Sequence, residues 1–170
     1  MNDTVQIRRA GRDEIYQIAA FLDECWRTSY RRIISDDFLD TMSVKSRYRI
    51  LVRRFDEGAS DFLMMLDGND LIGSAIFGKS FTAGFEGDGE VSALYLRGDY
   101  VGKGYGHVLY MKIEQGLLAR GFRSLVLDVL TGNVRAVRFY LAHGFKQTDE
   151  RYIRLGGVDY PLVVMRKASQ

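Results

Sequence analysis

Gly102-Lys103-Gly104-Tyr105-Gly106 sets three glycines at alternate positions between a strand-like and a helix-like run. No other segment constrains the fold as much. Residues without Cβ accept left-handed backbone, and alternating them lets successive N–H groups gather around an anion. A helix N-terminus adds a dipole that favours negative charge at the same place. In front, Glu90 to Leu96 reads as a strand. Behind, a helix opens at about Gly104 with Val108, Leu109, Ile113, Leu117 and Leu118 apolar. An ordinary glycine-rich turn from strand to helix has the same residues, so that reading stays open. A dinucleotide fingerprint starting at Gly102 needs its third glycine at the position of His107. A pyrophosphate other than that of NAD therefore suits the loop better.

Periodicity places the rest of the chain around this turn. Val5-Gln6-Ile7 alternates as an edge strand, and Gly11 to Thr28 carries Ile15, Ile18, Ala19 and Leu22 at helical spacing. Asp36 to Met42 and Val44 to Phe55 read as further helices, with Ser43 as an N-cap between them. Phe62 to Leu66 and Leu71 to Phe77 form a hairpin about Asp67-Gly68-Asn69-Asp70. In the strand Glu90 to Leu96, simple alternation puts Val91, Ala93 and Tyr95 on one face and Ser92, Leu94 and Leu96 on the other. Ser124 to Val129 is a buried-type strand, and Asn133 to Ala142 a short helix closed by Gly144, as Gly121 closes the helix before it. Lys146 to Ile153 and Tyr160 to Met165 end the series as strands, with Pro161 expected at a strand start or on an edge. One α/β domain over residues 1–170 is the economical organisation.

Composition narrows the function classes. The chain has 170 residues, 46% of them hydrophobic, enough for one sizeable core. Its net charge of +2 supports no nucleic-acid coat. One Cys excludes an internal disulfide, and two His, at 107 and 143, form no metal-binding spacing, so no metal site is expected. Apolar runs such as Phe62 to Leu66 are far too short to span a membrane. Met1-Asn2-Asp3-Thr4-Val5 lacks a basic start before an apolar core, so no leader is expected and a cytoplasmic protein is. The near-neutral total hides a polarity. Residues 61–90 hold one basic and six acidic side chains, and residues 91–170 hold 12 basic and six acidic ones. If these segments face one cleft, they favour a cationic and an anionic ligand respectively at its two ends.

Several residues carry more than one reading. Gly73-Ser74-Ala75-Ile76-Phe77-Gly78-Lys79-Ser80 matches a phosphate-binding P-loop by letter. A P-loop needs a strand before it and a helix after it, whereas here the hairpin strand runs through it and no helical face follows. It is read as a coincidence within the hairpin. Asn133 and Tyr140 share a face of the short helix; the first also suits an N-cap and the second a core aromatic. Glu90, taken alone, reads as a solvated surface acid before it reads as a catalytic base.

Together, Glu90 to Leu96, Gly102-Lys103-Gly104-Tyr105-Gly106-His107 and Asn133 to Phe145 (NVRAVRFYLAHGF) resemble the GNAT superfamily of acetyl-CoA-dependent N-acetyltransferases. The resemblance is strong over residues 90–145. The family's loop begins with Gln or Arg where this chain has Val101, a departure that removes a polar side chain while keeping Gly104 and Gly106. The resemblance implies a mixed, mostly antiparallel sheet with splayed central strands and helices on both faces. It also implies acetyl-CoA as co-substrate, with the pantetheine arm along Leu94, Tyr95 and Leu96 and the pyrophosphate over Val101, Gly102, Lys103, Gly104, Tyr105, Gly106 and His107. In that analogy Asn133 holds the arm, Leu94 N–H faces the acetyl oxygen, Glu90 is the base and Tyr140 the acid that protonates the leaving thiolate. Trp26, Tyr30 and Phe85 become walls for an amine acceptor, either a small cationic amine or a protein N-terminus; each has an equal core reading. Direct transfer is implied, and a homodimer is left open. A non-catalytic acyl-CoA-binding module is the rival; it has no use for Glu90 or Tyr140.

Overall fold

The computed structural model describes residues 4–168. Met1 to Asp3, most of the segment read above for a leader, lie outside the described residues. The chain folds as β1 (Val5–Arg9), α1 (Ile15–Ser29), α2 (Asp36–Thr41), α3 (Val44–Asp56), β2 (Ser60–Asp67) and β3 (Asp70–Lys79). It continues as β4 (Gly89–Leu96), α4 (Tyr105–Ala119), β5 (Ser124–Leu130), α5 (Val134–Ala142), β6 (Lys146–Leu155) and β7 (Val158–Ala168). Local chemistry explains the boundaries. Ser43 Oγ accepts from Ser46 N–H at 3.4 Å to start α3. β3 runs through the P-loop-like letters up to Lys79, and no helix follows Ser80.

The strands form one seven-stranded sheet in the order β1-β2-β3-β4-β5-β7-β6. Every neighbouring pair is antiparallel except β4 and β5. Helices cover both faces. On one, α4 buries Leu109, Ile113 and Leu117 against Phe77, Val91 and Leu125. The approach is close enough that a Cβ at Gly116 would stand 2.5 Å from the Phe77 ring. On the other, Ile15, Ile18 and Leu22 of α1 and Leu51 of α3 pack on Phe62, Met64 and Ile76. A third cluster joins Tyr30, Ile34 and Leu39 to Val126, Leu130 and Val164.

Two details depart from simple pattern reading. Val91 does not share a face with Ala93 and Tyr95. It packs with Leu94 and Leu96 in the α4 core, while Ala93 and Tyr95 pack on the α1 side. The cause is a bulge: Ala93 pairs with Ile76 and Val91 with Phe77, leaving Ser92 as the additional residue. One such residue inverts the two-residue period. Pro161 is neither at the start of β7 nor on an edge strand. It lies one residue outside the β5 pairing, which ends at Leu130↔Leu162, so at that point β7 has a strand neighbour on one side only. A missing N–H is tolerable there.

Candidate active site

β4 and β5 pair at Gly89↔Leu125 and Glu90↔Val126 and then part. Beyond that point β4 keeps β3, to Leu96↔Gly73, and β5 keeps β7, to Leu130↔Leu162. Along the open part of β4 and the start of α5 lies a cavity of about 420 Å³. Leu94, Tyr95 and Leu96 form one wall, Asn133, Phe139 and Tyr140 another, and Val101, Gly102, Gly104, Gly106 and His107 one end. A second hollow shares Leu96, Val101 and Asn133 with it and extends toward Ile33 and Gly132. Residues separated by more than forty positions are thus gathered by the parting of two strands.

The glycine loop is shaped for close approach. Gly102 and Gly104 have φ of +79° and +87°, a region where a side chain is strained. The first bond inside α4 runs from Val108 N–H to Gly104 O at 3.3 Å. The N–H groups of Tyr105, Gly106 and His107 precede it and have no helical carbonyl to serve. Side chains at the loop behave differently from one another. Tyr105 is buried in the core, 5.5 Å ring to ring from Tyr100, so only its backbone is presented. Lys103 is exposed, with Nζ 5.6 Å from the Tyr100 ring.

Asn133 Oδ1 accepts from Ala136 N–H at 3.2 Å, which makes Asn133 the N-cap of α5 and leaves its amide nitrogen for another acceptor. Seven residues on, Tyr140 is buried, and among the described residues its hydroxyl has no hydrogen-bond partner. Burial, and next the nearby Tyr30, push its phenol well above the ordinary tyrosine range. It therefore carries its proton at neutral pH.

Glu90 is buried rather than solvated. Its Oε2 accepts from Phe81 N–H at 2.7 Å and from Ser80 Oγ and Thr82 Oγ1, each at 3.3 Å. Its Oε1 accepts from Ser92 Oγ at 2.6 Å, so the bulged residue supplies a ligand to the carboxylate. Glu90 is not in the cavity lining. Asp128 on β5 is exposed at the surface, and its carboxyl is raised by desolvation first and by the Glu90 charge second. Asp88, two residues before Glu90, is instead held by Arg166 at 2.6 and 3.0 Å.

Trp26, Tyr30 and Phe85 come together in the third core cluster, where Tyr95 also packs. Tyr30 and Tyr95 are joined through their hydroxyls at 3.1 Å. Trp26 and Phe85 already carry guanidinium groups, Arg47 at 5.4 Å and Arg151 at 5.8 Å from the ring centroids. The charge polarity of the sequence is largely consumed locally. Asp61 bridges Arg9 and Arg120, and Asp88 binds Arg166. What remains at the cavity is Arg135 in its wall.

Sequence reasoning did not single out Ser29, Arg135, Phe139 or His143 as cavity residues. Ala136 and His143 follow by helical spacing from the face that carries Asn133 and Tyr140, whereas Arg135 and Phe139 stand in the same helix but off that face. Ser29, Arg135 and Phe139 have no such signal. Among the described residues no group of three His, Cys, Asp or Glu is placed to hold a metal, and no helix is long and apolar enough to cross a membrane.

A split sheet with a glycine loop at the mouth of the gap is the architecture that the sequence resemblance implies, and known proteins place it further. The acetyltransferase (GNAT) family profile matches residues 15–145. N-acetyltransferase YuaI of Bacillus subtilis is 30% identical over 156 residues, covering 91% of this chain and 87% of the relative. The chain belongs to the GNAT acetyltransferase family and is an acetyl-CoA-dependent N-acetyltransferase. Solved structures share the fold at low identity. PaiA N-acetyltransferase of Thermoplasma acidophilum, in complex with coenzyme A, superposes with a TM-score of 0.77 at 22% identity, covering 96% of this chain and 98% of its own. A ribosomal-protein-alanine N-acetyltransferase of Brucella melitensis does so at 0.74 and 19%, covering 96% and 99%. YncA of Salmonella typhimurium, determined with acetyl-CoA, gives 0.74 and 20%, covering 98% and 94%.

Proposed function

We propose that this enzyme transfers acetyl from acetyl-CoA to a primary amine, on a small cationic molecule or a protein N-terminus, by direct attack in a ternary complex. The observation that carries this reading is the parting of β4 from β5 after Glu90, which opens a cavity with the glycine loop at one end and Tyr140 in its wall. The pantetheine arm lies along Leu94 to Leu96, and the diphosphate meets the N–H groups at the start of α4. Asn133 holds the arm through the amide nitrogen that its capping role leaves unused. The residues present thus suit an elongated anionic thioester.

Three groups serve the chemistry. Amine attack on a thioester places charge on the acyl oxygen, the nitrogen and the departing sulfur. Leu94 N–H faces the oxygen, and Tyr140, protonated at neutral pH, donates to sulfur. Glu90 takes the proton from nitrogen. Because it stands behind the cavity wall with four donors on its carboxylate, the proton reaches it through water. The acceptor enters on the side of Tyr30, Trp26 and Phe85, where Glu90 and Asp128 supply negative charge. A protein N-terminus belongs in the proposal because one structural neighbour is named for a ribosomal-protein alanine.

Calorimetry with acetyl-CoA, followed by thiol release across a panel of amines and mass measurement of the products, tests this reading. Micromolar binding and amine-dependent thiol release with a mass gain of one acetyl group are expected. Binding without release for any amine would favour the non-catalytic module, and no binding at millimolar acetyl-CoA would remove the cavity assignment.

A further inference from the structure

The chain has two histidines, and the fold sets them against each other. Nδ1 of His107, in the first turn of α4, lies 2.9 Å from Nε2 of His143, just past the end of α5. His143 Nδ1 in turn lies 2.7 Å from the Phe139 carbonyl oxygen. A carbonyl only accepts, so His143 Nδ1 carries hydrogen. The neutral His143 ring then has Nε2 as its acceptor, and His107 Nδ1 must donate to it. Neutral His107 is left with a bare Nε2. Both rings line the cavity, beside Gly104 and Gly106. His143 is clamped by Phe139 and Tyr110, with ring centroids 4.2 and 4.4 Å away, so it holds His107 in one orientation.

We propose that this pair is a proton-linked anchor for the diphosphate of the cofactor, His107 becoming cationic at Nε2 when the anion binds. The proposal rests on the cofactor occupying the cavity as described above. The proton comes from solvent and adds to the Nε2 lone pair, while the Nδ1–H bond to His143 is kept. A second proton would have to enter His143 Nε2, which is already accepting, so the pair takes up one. The charged neighbours explain the linkage. Arg135 of α5 lines the same cavity, and Lys103 precedes His107 in the loop. On the far side Tyr110 meets Lys167 of β7, itself paired with Glu114 of α4. A bound diphosphate brings negative charge beside the bare Nε2, which favours a proton there. Histidine is the side chain that changes charge between about pH 5 and 8.

Dephospho-CoA is the probe, because it lacks the 3′-phosphate and so brings no group of its own titrating between about pH 6 and 8. Calorimetry on the full chain in buffers of different ionisation enthalpy counts the protons exchanged. Uptake of a sizeable fraction of one proton near pH 7 is expected, with Kd tightening about three- to tenfold from pH 8 to 6. His107→Gln is expected to abolish the uptake and flatten the pH dependence. Binding of dephospho-CoA by the wild type with no proton uptake overturns the anchor, as does an unchanged pH slope in His107→Gln. The wild-type measurement decides even if the variant does not fold. Failure of dephospho-CoA and acetyl-CoA alike to bind removes the cavity assignment, and the anchor with it.

Discussion

At Gly89 and Glu90, β4 is paired on both sides; from Leu94 to Leu96 it is paired with β3 alone. These two ends of one strand differ in how their polar groups are used. At the closed end, Glu90 accepts from Phe81, Ser80, Thr82 and Ser92, and Asp88 is gripped by Arg166. At the open end, the Tyr140 hydroxyl has no partner among the described residues, and the N–H groups at the start of α4 precede its first internal bond. Groups that already have partners hold the fold; groups without them are the ones a ligand can satisfy. The wedge is thus a hinge of satisfied polar contacts supporting a mouth of unsatisfied ones.

Substitutions at the two ends should therefore separate into different observables. Tyr140→Phe carries the largest expected effect: a kcat about a hundredfold lower, the usual scale for removing one acid–base group. Since the hydroxyl bonds no protein group, Tm and acetyl-CoA affinity should barely move. An unchanged kcat breaks the open end's claim to the chemistry. Glu90→Gln should show a different signature. Replacing an acceptor-only carboxylate by an amide turns an NH₂ toward existing donors, at a cost of about 1–3 kcal/mol in stability. Thermal or urea unfolding reads that loss, and the acidic limb of the pH–rate profile should flatten with it. If neither stability nor profile moves, the contrast between the ends collapses.

The smallest effect is expected at Asp128, across the wedge from Glu90. Its carboxyl is raised by partial desolvation and then by the Glu90 charge. A raised acid contributes stability that is present below its unfolded pKa and lost as pH rises through the folded one. Asp128→Asn should accordingly raise Tm at neutral pH, the gain fading as pH falls through the raised folded pKa and gone below about 4. A Tm difference of the opposite sign, or one constant with pH, would show that the two carboxylates do not couple.

Much of the fold was legible because its signals are local. Gly104 precedes α4 and Gly144 follows α5 at positive φ, Ser43 caps α3, and the Asp67 to Asp70 turn joins β2 to β3. The face of Val91 was not legible, since the bulge at Ser92 is created by the register of β3 against β4. At the site, Leu94 to Leu96, the loop glycines, Asn133 and Tyr140 were reachable from spacing and resemblance. The four donors on Glu90 were not, because the Ser80 to Thr82 segment meets it only when the loop after β3 folds back. Nor did the letters show that Arg47 and Arg151 lie over Trp26 and Phe85.

The sequence by itself determined the elements, their order and the loop that favours an anion, since caps, turns and apolar periods act over a few residues. Only the tertiary structure decided that β4 and β5 part after two pairs, that Glu90 is buried with its donors, and that His107 meets His143. Each of these depends on register and packing between segments distant in the chain, where contact is set by how whole layers fit rather than by neighbouring letters.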